Sequence, residues 1–305
     1  MIDILIMLSI HARMSATESY HSRVAAMVNL RDWIGRTESR TDQITAAPMA
    51  ALAATLDRDD PYPQGGDPLP PLWHWLYFVP IERQSQIDAD GHAARGGFMP
   101  PVPLPRRMFA GGRIQFHRPL RVGATVSRTA RMVDVTQKKG QTGPLVFVRV
   151  RREIGDGDGV AIAEEYDVVY RENAKPDDPV PTSKPAPKEQ TWEREIRPDE
   201  TLLFRYSALT FNAHRIHYDR RYVTETEGYP GLVVHGPLIA TLLCDLLRRN
   251  LQPASVVEFA FRAVRPLFDT APFSVCGMQS DERTVKLWAK DVDGWLAMDA
   301  TAKLN

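Results

Sequence analysis

The chain has 305 residues, 43% of them hydrophobic, with 38 basic and 38 acidic side chains. This length allows two packed domains or one large duplicated domain. The balanced charge gives no electrostatic reason to expect a nucleic acid or an anionic membrane as a partner. The two cysteines, Cys244 and Cys276, argue against a disulfide framework and against a zinc site built on thiolates. They fit a reducing compartment, and we predict a cytoplasmic protein.

The N-terminus carries a short apolar run over residues 4–10. It is too short to span a bilayer, and no basic residue precedes it as a secretory signal requires. We expect an upstream start here, with the folded part beginning near Met14.

The first half alternates between helical and extended patterns. Residues 45–57 predict a helix, and residues 68–80 are richer in proline and aromatic residues. The segment 81–107 has no clear period and is expected to pack as a loop over a cleft. Residues 145–154 and 160–170 alternate apolar and polar side chains around a Gly/Asp-rich turn, which predicts a hairpin. That turn lacks the ligand spacing of a calcium loop, and no metal site is predicted.

A proline-rich, charged stretch over residues 173–190 predicts an extended, exposed linker, because it has no apolar periodicity from which to build a core. It divides the chain into an N-terminal domain, residues 14–172, and a C-terminal domain, residues 191–305.

The second half contains a helix that is apolar nearly all round, over residues 237–250, after a Gly-rich run and with Pro237 at its first position. A helix this apolar is normally buried, and proline fits a helix start. A hairpin around Asp293-Gly294 follows. One buried helix and a run of antiparallel strands predict an α+β layer in which a curved sheet wraps a helix.

The two halves show a weak internal repeat. Residues 114–126 and 259–273 both contain an alternating run, then Arg-Pro-Leu, then a polar turn and another strand. In the first half, residues 68–80 occupy the position of the central helix of the second half. The sequence therefore predicts a duplication with one half eroded.

The densest group of polar side chains lies just before the Gly-rich run. Asn212, His214 and His217 fall within six residues. A histidine can take and return a proton near neutral pH. The helix start at Gly236 offers unpaired N–H groups that could hold a carbonyl oxygen as it gains negative charge. This combination suits proton removal or water addition next to a thioester.

Residues 206–240 resemble the MaoC-like (R)-specific enoyl-CoA hydratase family. Its motif, Ser-Gly-Asp-x-Asn-Pro-Ile-His, is followed by a Gly-rich helix start. Here Ile216 and His217 match the end of that motif, and residues 231–237 match the helix start.

The first half is similar to the dehydratase-like domain of double-hotdog proteins at residues 32–37, 54–57 and 70–73. The resemblance covers about residues 25–300. Its closest subgroup comprises the mesaconyl-CoA and itaconyl-CoA hydratases and the related 3-hydroxyacyl-thioester dehydratases. It implies an α+β double hotdog, in which each of two tandem repeats has a long central helix wrapped by a curved antiparallel sheet.

The resemblance implies that His217 is the catalytic base or acid. Counting back five residues, the family's catalytic aspartate falls on Asn212, and its asparagine falls on His214. An amide cannot accept a proton as a carboxylate does, but it can orient a water. Asn212 is therefore predicted to position water or substrate, and His214 is a candidate second proton-transfer group. The Gly236 N–H is predicted to hold the thioester oxygen, with His235 beside it.

Four further residues are candidates for contacts with the substrate. Arg215 could pair with a substrate carboxylate or be an exposed charge. Tyr206 and Tyr218 either line the pocket or pack with their hydroxyls satisfied nearby. Asp57 is the counterpart of Asn212 if the first helices correspond. No histidine follows it five residues later, so the first half is predicted to shape the acyl pocket.

The predicted function is that of a hydro-lyase, an enoyl-CoA hydratase or dehydratase acting on a short branched or dicarboxylic acyl-CoA. No cofactor is expected beyond the coenzyme A of the substrate. One of the basic pairs Arg106-Arg107, Lys138-Lys139 and Arg248-Arg249 could hold its phosphates. The alternatives are an acyl-CoA thioesterase and a non-catalytic acyl-thioester-binding protein, since hotdog proteins host several reactions. A double hotdog can act alone or pair through its sheet edges as a homodimer.

Overall fold

The structure, a computed structural model, describes residues 29–140, 143–173, 183–251 and 255–305. The expected start near Met14 and half of the predicted linker, residues 174–182, lie outside the described residues. In the part of the chain that is described, no helix is long and apolar enough to cross a bilayer.

Ten antiparallel strands form one sheet in the order β1-β3-β4-β5-β2-β7-β10-β9-β8-β6. The first five strands lie within the predicted range 14–172, and the last five within 191–305. Their bounds are β1 Thr37–Gln43, β2 Arg106–Phe116, β3 Thr125–Gly140, β4 Gly143–Asp156, β5 Gly159–Arg171, β6 Trp192–Ile196, β7 Val256–Ala263, β8 Phe273–Asp281, β9 Thr284–Asp291 and β10 Leu296–Leu304.

The strand order shows the duplication directly. The first half runs 1-3-4-5-2 and the second, from the other edge, runs 6-8-9-10-7. The halves join where β2 pairs with β7, with Gly111 and Gly112 opposite Arg262 and Phe261. A Cβ on Gly111 would lie 2.5 Å from the Phe261 carbonyl oxygen, so glycine permits the close approach of the two strands.

The described residues contain three α-helices: α1 (Ala46–Thr55), α2 (Glu200–Thr210) and α3 (Gly236–Asn250). α3 packs on strands of the second half, and α1 and α2 pack against each other. Asp199 caps α2 by accepting a hydrogen bond from the Leu202 N–H at 2.8 Å. Residues 238–247 of α3 are all buried, which confirms the prediction from its apolar composition. The sheet of the second half wraps this helix.

The first half departs from the expectation of a long central helix in each repeat. Where the second half has α3, it has only the 3₁₀ turn Trp73–Leu76. The two segments are equivalent, because Leu69 N–H donates to Leu120 at 2.7 Å just as Val234 N–H donates to Leu267 at 2.9 Å. Leu72 and Phe78, on either side of this turn, have the left-handed conformation, with φ of +69° and +56°, so no α-helix runs through the segment.

The end of the predicted linker is also not a free segment. Pro185 forms an isolated β-bridge with Trp295. Ala186 is buried, and its N–H donates to the Gly294 carbonyl at 2.9 Å. Ala186 packs with Cys276 and Trp288 on the outer face of the second half. The buried Ala186 therefore holds this segment against the second half. The composition of the stretch, rich in proline and charge, did not indicate this contact.

A polar layer crosses the inner face of the first half. Arg128, Arg152 and Glu164 point inward from β3, β4 and β5 and separate two apolar clusters. Glu164 accepts a hydrogen bond from the Trp75 indole at 2.8 Å and lies 3.5 Å from the Arg152 guanidinium. Burial opposes its ionisation, but contacts with His74, Arg152 and Trp75 lower the pKa of Glu164 to about 2.

A second ionic group fastens the far end of α3 to the first half. The Asp245 carboxylate is buried and contacts three arginines: Arg58 at 2.8 Å, Arg194 at 3.2 Å and Arg249 at 2.7 Å. Arg194 and Arg249 also donate to the Leu56 carbonyl at the end of α1. Side chains from both halves therefore satisfy one buried charge.

Replacing Glu164 tests the polar layer. Glu164→Gln should lower the free energy of unfolding at pH 7 by about 3 kcal/mol, because it leaves the Arg152 charge uncompensated. The folded-state pKa lies below the ordinary value of 4.5. The stabilisation is therefore present above pH 4.5 and is lost as the pH falls toward 2.

Urea denaturation at pH 7 and pH 4 measures both effects, with Glu153→Gln as the exposed control on β4. The difference in the free energy of unfolding between Glu164→Gln and the wild type should be smaller at pH 4 than at pH 7. Equal stability of Glu164→Gln and the wild type at pH 7 would contradict the assignment.

Candidate active site

Four imidazoles from both halves of the chain form a continuous row. The ring centroids of His92 and His214 are 4.0 Å apart, those of His214 and His217 5.4 Å, and those of His217 and His235 3.7 Å. His214, His217 and His235 come from the segment between α2 and α3, and His92 comes from the loop before β2. The structure thus brings together three histidines predicted from the sequence and adds a fourth.

The turn after α2 positions His217. The helix ends at Phe211 in the left-handed conformation, and the Asn212 side-chain oxygen accepts the His214 N–H at 3.0 Å. A 3₁₀ turn over Arg215–His217 then brings the His217 ring inward. Its Nδ1 lies 2.7 Å from the Val233 carbonyl oxygen and must donate to it. Nε2 is therefore the acceptor nitrogen, and it makes no hydrogen bond within the described residues.

His235 supports His217 from behind. It is fully buried, stacks on the His217 ring at an interplanar angle of 18°, and its Nε2 bonds to the Ser207 hydroxyl at 2.8 Å. The Tyr206 ring packs edge-on against it at 5.0 Å. Both residues are thus enclosed by protein. The predicted substrate contact by Tyr206 is not what the structure shows, since α2 turns the ring into the core.

The first turn of α3 begins directly after His235. Gly236 is the first residue of the helix, and its N–H has no partner in the described parts of the chain. A Cβ at this position would lie 3.6 Å from the Phe109 ring on β2. This N–H lies beside the stacked rings of His217 and His235 and next to Phe109 of the first half. A free donor at a helix N-terminus can stabilise the negative charge that develops on an oxygen during a reaction.

His92 and Asp90 lie on a loop that the sequence interpretation did not select. The Asp90 carboxylate accepts the His92 backbone N–H at 2.9 Å and lies 3.0 Å from the His92 Nδ1. The Asp90 carbonyl accepts the Arg215 N–H at 2.9 Å, which ties the loop to the second half. A signal was available: an Asp-Gly-His turn lies within the segment expected to cover a cleft.

Three predicted substrate contacts lie elsewhere. Nε and Nη2 of Arg215 both donate to one carboxylate oxygen of Asp219, at 3.0 and 2.8 Å, so its guanidinium is already engaged. Tyr218 is 47% exposed. Asp57 lies at the far end of α3, where its backbone carbonyl accepts from Arg249. The Tyr218 hydroxyl donates to the Ala213 carbonyl, so it too has a partner within the protein.

A small cation could be held at one end of the row. Donor atoms of Asp90, His92 and His214 lie within 4.8 Å of one another. Carboxylate and imidazole ligands suit several divalent metals. The Asp90 carboxylate already accepts two hydrogen bonds from His92, however, so the group is also complete as a hydrogen-bonded pair.

Burial keeps the imidazoles neutral. It lowers the pKa of His92 to about 4, helped by Arg107 and opposed by Asp90. It also lowers the pKa of His217 to about 4, against the bond to Val233. The pKa values of His214 and His235 are lowered by burial and by the neighbouring imidazoles. At neutral pH these rings are proton acceptors.

The contact of the two halves at this site can be tested through Gly91. Its φ is +91°, and a Cβ there would lie 1.8 Å from the Ala213 carbonyl oxygen. Gly91→Ala should therefore displace the loop and lower kcat at least about tenfold, because small displacements of catalytic groups are costly. Gly66→Ala is the matched control: its φ is +88° and its Cβ would meet nothing within 4 Å. Steady-state kinetics compare the two, and equal activities would contradict the close docking.

Known proteins resemble the chain over most of its length. A family profile described as hydroxyacyl-thioester dehydratase type 2 matches residues 72–269. The chain is 50% identical over 276 residues to a mesaconyl-C(4)-CoA hydratase of Chloroflexus aurantiacus, covering 90% of this chain and 97% of that protein. It is 26% identical over 286 residues to a mitochondrial hydroxyacyl-thioester dehydratase type 2 of Schizosaccharomyces pombe, covering 83% and 93%.

A solved structure supports the fold. A Mycobacterium tuberculosis protein described as having a double hotdog fold superposes with a TM-score of 0.56 at 13% identity, over 89% of this chain and 96% of that one. At this identity the likeness concerns the fold alone, and it agrees with the duplicated strand order. The family match spans both halves and includes all four histidines of the row. The chain therefore belongs to the hydroxyacyl-thioester dehydratase type 2 family, and it is a double-hotdog hydro-lyase.

Proposed function

We propose that the chain adds water to, or removes it from, the carbon–carbon double bond of an acyl-CoA thioester, with His217 as the base and acid. The acyl group is short, branched and dicarboxylic, as the name of the Chloroflexus relative indicates. The observation that carries the proposal is the His217 ring itself. A hydrogen bond to the Val233 carbonyl fixes the Nδ1–H of His217. The His217 ring also stacks on His235, which directly precedes Gly236 and its N–H, unpaired in the described residues.

In the hydration direction, the thioester oxygen accepts the Gly236 N–H. Nε2 of His217 takes a proton from water as the water oxygen bonds to the β-carbon. The electrons of the double bond move into an enolate, whose charge the helix N-terminus stabilises. The enolate then takes the proton back from His217 at the α-carbon. No net proton is gained, and dehydration is the reverse.

Asn212 has a positioning role in this scheme. Its oxygen accepts the His214 N–H, and its NH₂ group makes no hydrogen bond in the described residues and can contact water or substrate. The activation comes from the thioester carbonyl and the helix N-terminus. We therefore propose that the reaction needs no cofactor beyond the coenzyme A of the substrate.

We also assign the acyl pocket to the first half. Phe109 contacts Gly236 and packs 5.9 Å from Tyr166, so an aromatic surface faces the helix start. Arg107 precedes Phe109 on the same face, opposite Tyr170. It makes no ion pair with any described carboxylate, and its charge acts on His92 and His214. With Arg215 engaged by Asp219, Arg107 is the guanidinium placed to bind a substrate carboxylate.

The central test is turnover of mesaconyl-C4-CoA and crotonyl-CoA, followed by loss of enoyl absorbance and by release of free thiol. Hydration without thiol release is expected, and it should survive a chelator. His217→Ala should lower kcat at least about 100-fold with substrate binding retained, because a general base is lost. His117→Ala, an exposed histidine after β2, is the control.

Other outcomes separate the remaining functions. Thiol release would indicate a thioesterase, and binding of both esters without turnover would indicate an acyl-thioester-binding protein. Full activity of His217→Ala would show that the base has been assigned to the wrong residue.

The role of Arg107 is tested by comparing the same two substrates. Arg107→Gln should raise KM for mesaconyl-C4-CoA at least about tenfold, since a charged hydrogen bond is lost, and should leave crotonyl-CoA nearly unchanged. Arg113→Gln is the control on the same strand, where the side chain is half exposed. An equal effect of Arg107→Gln on both substrates would contradict carboxylate recognition.

A further inference from the structure

We infer that His92, oriented by Asp90, is a second catalytic imidazole contributed by the first half. It accepts a hydrogen bond from the reacting water and replaces the carboxylate that the family motif carries at Asn212. The inference rests on the proposed function and adds a residue to the same site.

The Asp90 carboxylate fixes the His92 ring. One of its oxygens accepts the His92 backbone N–H at 2.9 Å, and the other lies 3.0 Å from Nδ1. A carboxylate accepts hydrogen bonds, so Nδ1 carries the proton and Nε2 is the acceptor. An aspartate that holds an imidazole in this way sets both its tautomer and its direction.

The position of the ring places that acceptor in the same cleft as His217. The His92 and His217 rings both contact the His214 ring, with centroid distances of 4.0 and 5.4 Å. The His92 side chain keeps 19% exposure although protein surrounds it. Nε2 makes no hydrogen bond within the described residues and is not among the buried unpaired atoms. His92 Nε2 is therefore an open acceptor beside His214, and we place the reacting water between it and Nε2 of His217.

The chemistry requires such a second acceptor. When water attacks the β-carbon, one O–H gives its proton to His217 and the other needs a partner to direct the oxygen lone pair. The Asn212 oxygen already accepts the His214 N–H, whereas Nε2 of His92 accepts no hydrogen bond from the described residues. Within the described residues no hydrogen bond orients the His214 ring, whereas Asp90 orients His92.

The proton balance of the reaction does not change. Water gives one proton to Nε2 of His217, its oxygen bonds to the β-carbon, and the α-carbon takes that proton back. His92 accepts a hydrogen bond throughout and neither gains nor loses a proton. Asp90 stabilises the partial positive charge that this bond induces on the ring.

The arginines near the Asp90–His92 pair have other contacts. Arg95 donates hydrogen bonds to the backbone carbonyls of Val102, Leu104 and Pro105, and these bonds lie within the loop before β2. Arg107 is assigned to the substrate carboxylate. The Asp90 carboxylate therefore interacts with His92 alone by hydrogen bond, in the part of the chain that is described.

The loop is built to hold this position. Gly91 lies against the Ala213 carbonyl, and Arg215 donates to Asp90 through its backbone N–H and to Ala89 through its side chain at 3.0 Å. Backbone contacts from the second half thus hold the Asp90–His92 pair of the first half in place. The active site is complete only when both halves contribute.

Kinetics of His92→Ala, Asp90→Asn and His117→Ala with mesaconyl-C4-CoA test the inference. His92→Ala should lower kcat about 100-fold and change KM less than about threefold, because the water is no longer directed. Added imidazole should restore part of the activity. Asp90→Asn should lower kcat about tenfold, and His117→Ala should match the wild type.

A purely structural role predicts a different result, in which kcat falls together with the unfolding temperature and imidazole gives no rescue. If His92→Ala does not fold, His92→Gln keeps an acceptor of similar reach and should retain more activity than Asp90→Asn. Wild-type kcat in His92→Ala would overturn the inference, and so would one equivalent of bound metal whose removal abolishes activity. If the wild-type protein turns over no ester, the proposed function fails first. If only His217→Ala is inactive, the inference alone fails.

Discussion

The pairing of β2 with β7 is the contact on which the rest of the structure depends. It joins two five-stranded halves into one sheet, and it is possible because Gly111 and Gly112 let the two backbones approach. β2 also carries Phe109 toward Gly236 and begins directly after the loop that holds His92. A single strand pair therefore determines where the first half meets the N-terminus of α3. Without it, the row of four histidines would be divided between two separate domains.

The duplication has become asymmetric in a way that serves the site. The second half keeps the long buried helix α3, whose first turn supplies unpaired N–H groups. The first half replaces that helix with a proline-rich 3₁₀ turn, and its inner face carries a polar layer of Arg128, Arg152 and Glu164. Buried charges of this kind are stable only when they are paired. One half thus supplies the N-terminus of α3 and His217, which we propose as the base, and the other supplies the loop with Asp90 and His92.

Burial gives the histidines their chemical character. An imidazole in solution is partly protonated near neutral pH, but here burial lowers the pKa of His92 and of His217 to about 4. Neutral rings accept protons and hydrogen bonds, and each has its Nδ1–H fixed, by Asp90 and by the Val233 carbonyl respectively. The two open nitrogens are therefore acceptors of known direction. This is what the addition of water beside a polarised thioester requires.

Local sequence patterns predicted several elements of the fold and a group of candidate site residues. The apolar helix, the two hairpins, the duplication and the Asn212–His214–His217 group followed from local periodicity and spacing, because these patterns lie within single segments. The tertiary structure alone decided which side chains meet. Asp90 and His92 lie more than a hundred residues before His217, so no spacing could connect them. The ion pair of Arg215 with Asp219 depends on how the turn after α2 closes. Contacts between distant segments are fixed by the packing of the two halves, and a linear pattern does not contain that information.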